Sequence, residues 1–84
     1  MAYDIITFRS VTPAQRGERL LRQMEIGCTL QRTPRWMEAQ GCGYSLRVND
    51  GQIHQIIRIF RERKIPFRKV YHADDSGKTE ELAL

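Results

Sequence analysis

The chain has 84 residues, which is enough for one domain and leaves no room for a second. Hydrophobic residues make up 40% of it and charged residues 29%, a balance that is typical of a globular domain and excludes a disordered chain. The net charge is +4, and no block of five or six like charges forms a basic arm. A basic net charge favours an anionic partner, such as nucleic acid, phosphate or an acidic protein surface. Because the excess positive charge is spread along the chain, nucleic acid is not the favoured one of these.

Cysteine content and the N-terminal sequence predict the compartment. The two cysteines, Cys28 and Cys42, are too few for a disulfide framework, and no histidine stands at metal-ligand spacing from either. The first residues, MAYDIITF, lack the basic region and long apolar run of a signal peptide, and no apolar stretch approaches the ~20 residues of a membrane span. We therefore expect a cytoplasmic protein with reduced thiols, no membrane partner, no cofactor and no metal site.

The first half of the chain predicts a strand, a helix and a second strand. Residues 3–8, YDIITF, are β-branched and aromatic, which is typical of a buried central strand. Thr12 is predicted to cap a helix that begins at Pro13, and Gly27 to end that helix. Residues 28–32, CTLQR, then alternate as a strand.

The second half of the chain again predicts a strand, a helix and a strand. Residues 42–48 alternate as a third strand, with Cys42 on its inward face. Asn49 is predicted to cap a second helix, because Gln52 three residues later can complete a capping box. A fourth strand is predicted from residue 67 to residue 72.

This order of elements predicts the fold. Right-handed crossovers in a β-α-β-β-α-β chain favour an α+β, ferredoxin-like sandwich. Its four-stranded antiparallel sheet is expected to have the strand order 4-1-3-2, with both helices on one face. The single domain would span residues 1–73 and leave residues 74–84, DDSGKTEELAL, as a flexible polar tail.

Cys42 is the candidate site residue. In the predicted topology it lies where the first helix begins, and a helix N-terminus can lower the pKa of a thiol from about 8.5 towards roughly 3.5–7.5. Gly41 and Gly43 flank the thiol with nothing bulky and would permit a partner to approach closely. The other residues expected to support the site, at the helix start or in the loop before the third strand, are Thr12, Arg32, Pro34, Arg35 and Trp36.

A structural role for Cys42 stays open at this point. Cysteine is among the residue types most often buried, and Cys42 is in phase with the inward positions of its strand. The chain would then be a non-catalytic binding or assembly module: either an RNA-binding domain of the same βαββαβ order, or a regulatory domain that dimerises through Tyr3 and Ile5. The outward residues of the third strand include no aromatic for base stacking, which counts against RNA.

Short motifs spread over residues 3–73 carry a resemblance. They are Phe8, Ser10, Thr12, Ala14, Glu18, Leu20-Leu21, Ile26, Thr33-Pro34-Arg35, Cys42-Gly43 and Leu46-Arg47. With them the chain resembles the small bacterial domains described as putative selenium/sulfur carrier protein-like. The Cys-Pro-x-Pro motif of better-known sulfur carriers is absent, since Gly43 follows Cys42.

The resemblance implies a function for Cys42. It would hold a persulfide or selenopersulfide, so that the protein would be a carrier or thiol-dependent accessory protein rather than a stand-alone catalyst. The resemblance also implies two partners, a cysteine desulfurase-type donor and a protein that accepts the sulfur or selenium.

Overall fold

A computed structural model describes residues 2–33 and 43–83 of the chain. In chain order these residues form β1 (Tyr3–Phe8), α1 (Val11–Gln23), β2 (Cys28–Arg32), β3 (Tyr44–Asn49), α2 (Ile53–Glu62), β4 (Val70–Ala73) and β5 (Thr79–Leu82). Neither of the two helices in this part of the chain has the length and apolar character needed to cross a membrane.

The described strands form one antiparallel sheet in the order β2-β3-β1-β4-β5. Its first four positions are the predicted order 4-1-3-2 read from the opposite edge. The predicted sheet of four strands is nevertheless wrong, because β5 extends it beyond β4. The fold is therefore α+β, as expected, with two helices and a five-stranded antiparallel sheet.

The fifth strand comes from the segment predicted as a polar tail. Residues 79–82 pair with β4, and Val70 stands opposite Leu82. The hairpin turn is held by the Asp74 carboxylate, which accepts hydrogen bonds from the backbone N–H groups of Ser76 and Lys78 at 3.0 and 2.9 Å. The Ser76 hydroxyl also donates to this carboxylate at 2.7 Å, and this bond, together with the backbone bonds, lowers the pKa of Asp74 because it favours the charged form. Hydrogen bonds between an Asp side chain and nearby backbone N–H groups can stabilise a turn in a segment whose composition indicates only that it is polar.

Alternation along β1 decides which side chains the helices cover. Ile6 and Phe8 are fully buried beneath α1 and α2, whereas Ile5 and Thr7 lie on the opposite face. Ile6 is central to an apolar row across the sheet, formed with Leu30, Leu46, Val70 and Leu82. The helices cover this row with Ala14, Gly17, Leu21, Ile53, Ile56, Ile57 and Phe60.

The first helix begins earlier than predicted. Its N-cap is Ser10, so Thr12 is the second helical residue and does not cap the helix. Pro13 takes the third position. It is tolerated there because the first N–H groups of a helix have no intrahelical partner.

The second helix begins later than predicted. Asn49 is paired with Tyr3 at the end of β3, so its backbone belongs to the sheet and it cannot cap α2. A turn at Asp50 and Gly51 intervenes, with Gly51 at a φ of 101° that glycine adopts without strain. Gln52 is therefore the N-cap residue.

Both helices end in a Schellman motif in which a charged residue takes the place of glycine. Glu25 and Lys64 are left-handed, with φ values of 61° and 55°. In α1, the N–H of Ile26 donates to the carbonyl of Leu21 at 2.8 Å and buries the isoleucine behind the helix. The prediction that Gly27 ends α1 was wrong, because the left-handed residue comes two positions earlier.

Replacing Glu25 with glycine is expected to stabilise the protein. Glu25→Gly should raise the free energy of unfolding by about 0.5–1 kcal/mol, because glycine takes the left-handed conformation without a Cβ clash. Urea denaturation measures the change. Gln23→Gly is the matched control, since it lies in the regular last turn of α1 and should lose about as much as Glu25→Gly gains. A lower free energy of unfolding for both variants would contradict the assignment of Glu25 to the left-handed position of the Schellman motif.

Gly17 lets α1 approach α2 and the sheet closely. A Cβ at this position would lie 2.9 Å from Cζ of Phe60 and 3.2 Å from Cδ1 of Leu46. The Phe60 ring has little room to move, because it is fully buried between the rings of Phe8 and Phe67, at centroid distances of 6.1 and 6.4 Å. The glycine is therefore a packing requirement of the helix–helix contact.

We expect Gly17→Ala to destabilise the protein, although alanine is the better helix former. Overpacking costs roughly 1–3 kcal/mol and outweighs the ~1 kcal/mol gained in helix propensity, for a net loss of about 1 kcal/mol. Thermal unfolding measures the loss. Gly27→Ala is the control, because nothing lies within 4 Å of a Cβ built there, and it should be neutral or slightly stabilising. A higher melting temperature for Gly17→Ala would refute the packing argument.

Candidate functional site

The candidate site lies at one end of the sheet, which we call the loop end and define by the adjacent residues Arg32, Tyr44 and Phe8. Tyr44 is paired with Phe8 on β1 and with Arg32 on β2. The prediction that the third strand begins where the first one ends is therefore confirmed. Because α1 follows β1 directly, its N-terminus lies at this end as well.

Cys42 itself lies outside the described residues, together with Pro34, Arg35, Trp36 and Gly41. Their predicted positions stay predictions. The described residues on either side of this segment are Thr33 and Gly43, which are joined by a 3.0 Å hydrogen bond from the Thr33 N–H to the Gly43 carbonyl. Gly43 is buried, so the residue that follows Cys42 in the sequence is anchored at the loop end of the sheet.

Arg32 places a cation on the helix-covered side of the loop end. It is exposed, and its guanidinium carbon lies 5.5 Å from the centroid of the half-buried Tyr44 ring. This stacking orients the arginine without neutralising it. Of the residues expected to support the thiol, Arg32 and Gly43 therefore lie together at the loop end.

The N-terminus of α1 is open to an anion. The Ser10 side chain makes no capping hydrogen bond, and no acidic residue occupies the first turn. Thr12, which was expected to cap this helix, is exposed and contributes a backbone N–H of the first turn instead. Within the described residues, the partial positive charge of this helix N-terminus is compensated neither by its N-cap side chain nor by an acidic residue of its first turn.

A basic cavity adjoins this helix start. It measures about 610 Å³ and is lined by Arg9, Ser10, Pro13 and the segment 66–69, whose side chains include Arg68 and Lys69. Backbone hydrogen bonds of 2.8 Å between Thr7 and residues 68 and 69 hold that segment beside β1. The sequence analysis missed this cavity, because Arg9 and residues 66–69 are far apart in the chain.

Cys28 is packed as a structural residue. Its side chain contacts the hydrophobic core, and its Sγ donates a long hydrogen bond of 3.9 Å to the backbone carbonyl of Glu18. Burial raises the pKa of this thiol, and the nearby Glu18 carboxylate raises it further. The thiolate that a reactive cysteine needs is therefore disfavoured at Cys28.

Cys28 should react slowly with thiol reagents in the folded protein. Its alkylation rate is expected to rise with pH to a midpoint above that of an unperturbed thiol, because the raised pKa keeps the thiol protonated at neutral pH. The measurement is the rate of iodoacetamide labelling against pH in the Cys42→Ser variant, followed by intact mass. The same variant in urea is the control, since unfolding restores the ordinary pKa. A native midpoint below that of the unfolded chain would contradict the burial argument.

The open face of the sheet offers less apolar surface than its sequence suggested. Ile5 is only 3% exposed, and the Tyr3 ring is covered by the Arg47 guanidinium at 3.9 Å. Tyr3 is therefore neither a free stacking platform for a base nor part of an apolar patch. Dimerisation through this face remains a prediction, but the exposed apolar side chains that motivated it are covered.

A second polar cluster lies at the opposite end of β1. Nδ1 of His72 is 2.8 Å from Oδ1 of Asp4 and 3.7 Å from Oδ1 of Asp50. The hydrogen bond to Asp4 raises the pKa of His72, and its desolvation opposes this shift. The sequence analysis missed this cluster because its members come from β1, the turn after β3, and β4, and no local spacing connects them.

Comparison with known proteins gives one match. The model of the family described as "Putative Se/S carrier protein-like" matches residues 3–72, which is most of the chain. No curated protein matches the chain, and no solved structure matches it.

Proposed function

From the premise that the chain belongs to the putative Se/S carrier protein-like family, we propose that it carries sulfur or selenium as a persulfide or selenopersulfide on Cys42. The observation that carries the proposal is the partial burial and raised pKa of the other cysteine, Cys28. Both cysteines fall within the matched residues 3–72, and Cys28 is half-buried against the core with a raised pKa. Cys42 is the cysteine that remains as the carrier thiol.

Loading is a transfer of sulfane sulfur. The Cys42 thiolate attacks the terminal sulfur of a donor persulfide, R–S–SH, and forms a new S–S bond. The S–S bond of the donor breaks, and the donor cysteine leaves as a thiol after taking up a proton. The products are a Cys42 persulfide and R–SH, so no external oxidant or reductant is needed. Selenium would follow the same course and give an S–Se bond on Cys42.

The electrostatics of the loop end support an anionic cargo. Arg32 is exposed there, and the α1 N-terminus has neither an acidic residue in its first turn nor a side-chain cap. The cavity beside it adds Arg9, Arg68 and Lys69, of which Lys69 also forms a salt bridge of 3.6 Å with Glu81. A thiolate or a persulfide anion held near these groups is stabilised by the same effects that lower thiol pKa values at helix N-termini.

The partners follow from this chemistry. The donor must present a protein persulfide, which is the product of a cysteine desulfurase-type enzyme. The acceptor must attack or reduce the Cys42 persulfide. The flanking Gly41 and Gly43 suit a thiol that has to enter the active site of another protein, because they place no side chain next to it.

The test is to load the full chain with a cysteine desulfurase and free cysteine and to record its intact mass. The wild-type protein should gain roughly 32 Da and lose it again with a thiol reductant. Cys42→Ser should gain nothing. Cys28→Ala is the matched control, because it removes the chain's other cysteine and should load as the wild type does.

Two results would overturn the proposal. One is an adduct of the same mass on the Cys42→Ser variant, which would place the cargo on Cys28. The other is the absence of any adduct on the wild type when the same desulfurase loads a known acceptor in a parallel reaction.

A further inference from the structure

The cluster formed by Asp4, Asp50 and His72 contains a buried carboxylate that protein groups do not satisfy. The Asp4 side chain is only 1% exposed. Its Oδ1 accepts a hydrogen bond from His72, whereas its Oδ2 is buried and has no hydrogen-bond partner in the described part of the chain. Burying a carboxylate without full pairing is costly, and such groups in native proteins call for a specific explanation.

The cluster has the composition and the spacing of a metal site. One ligand atom from each of the three residues can be chosen so that all lie within 4.8 Å of one another. Zn²⁺ binds imidazole nitrogen and carboxylate oxygen at about 2.0–2.2 Å, which places neighbouring ligand atoms roughly 3–3.5 Å apart. The observed distances of 2.8 and 3.7 Å from His72 Nδ1 bracket that separation.

The surroundings of the cluster leave a path for an ion. Asp50 is exposed, and with Asp75, Asn49 and Ala2 it lines a cavity of about 430 Å³. Water from this cavity can complete the coordination, as in zinc sites with three protein ligands and one open position. Negative charge also gathers here, since the carboxylates of Asp50 and Glu80 act on His72 together with Asp4.

From this geometry we infer that Asp4, Asp50 and His72 form a binding site for one divalent first-row transition-metal ion, with Zn²⁺ as the ion that the ligand set fits. The buried Asp4 carboxylate supplies the inner ligand, His72 binds through Nδ1, and Asp50 closes the site from the β3–α2 turn. A carboxylate and imidazole set of this kind excludes ions that require thiolate or all-oxygen ligands.

The site is separate from the loop end. Asp4 lies near the start of β1, and the loop end lies at the other end of this six-residue strand. At about 3.4 Å per residue in an antiparallel strand, Asp4 and Phe8 are roughly 14 Å apart. The inference therefore does not depend on the proposed function of Cys42.

The test is a titration of the full chain with Zn²⁺ by calorimetry and with Co²⁺ by absorption spectroscopy. We expect one ion per chain, and a cobalt spectrum without the sulfur-to-metal charge-transfer bands that cysteine ligands give. Asp50→Asn should weaken binding at least tenfold. This variant keeps its fold, because Asp50 is exposed and lies in a turn. Glu62→Gln is the matched control: it removes one exposed carboxylate outside the cluster and should bind as the wild type does.

A second variant tests whether His72 is a metal ligand or only a residue near the bound ion. His72→Gln should abolish the visible cobalt bands, and circular dichroism of the same sample checks that the protein is folded. The inference is overturned if Zn²⁺ and Co²⁺ show no saturable binding below about 1 mM. It is also overturned if Asp50→Asn binds as tightly as Glu62→Gln, or if the cobalt spectrum shows thiolate ligands.

Discussion

The register of β1 between β3 and β4 is the constraint on which the rest of the structure depends. Ile6 is paired with Leu46 on one side and Val70 on the other, so one apolar row crosses the sheet beneath both helices. A slip of one residue would turn Ile6 and Phe8 to the open face and bring Ile5 and Thr7 under the helices. The packing of α1 against Phe60, for which Gly17 provides the room, depends on this row.

The same register separates two chemically different ends of one strand. At the end of β1, the pairing with Tyr44 brings Arg32, the α1 N-terminus and the residue after Cys42 to one place, and the local charge is positive. At its start, the pairing of Asp4 with His72 builds a negatively charged pocket in a chain whose net charge is positive. We propose a different ligand for each end: an anionic sulfur or selenium cargo at the loop end, and a cation at the other.

Most of the architecture could be predicted from the chain. The β-branched and aromatic run YDIITF and the alternating CTLQR located β1 and β2 correctly, and the antiparallel pairing of the first and third strands was foreseen. The errors fall on the helix ends, on the bounds of the third and fourth strands, which were predicted over residues 42–48 and 67–72, and on the unforeseen β5. Glu25 is left-handed although glutamate rarely is, because burial of Ile26 against Leu21 compensates for its backbone strain. Residues 79–82 form β5 because Asp74 closes a turn that composition alone does not reveal.

The sequence by itself determined the α+β class from local periodicity, and the order of the first four strands because right-handed crossovers limit how these elements can be arranged. Residue chemistry made Cys42 the candidate thiol. Only the tertiary structure decided that Cys28 packs half-buried against the core, that Arg9 and Lys69 share a cavity beside α1, and that Asp4 meets His72. These relations join residues that are distant along the chain, and only the pairing of the strands brings them together. Within the described residues, Cys28 packs against the core with a raised pKa, and Gly43, which follows Cys42 in the sequence, lies with Arg32 at the loop end.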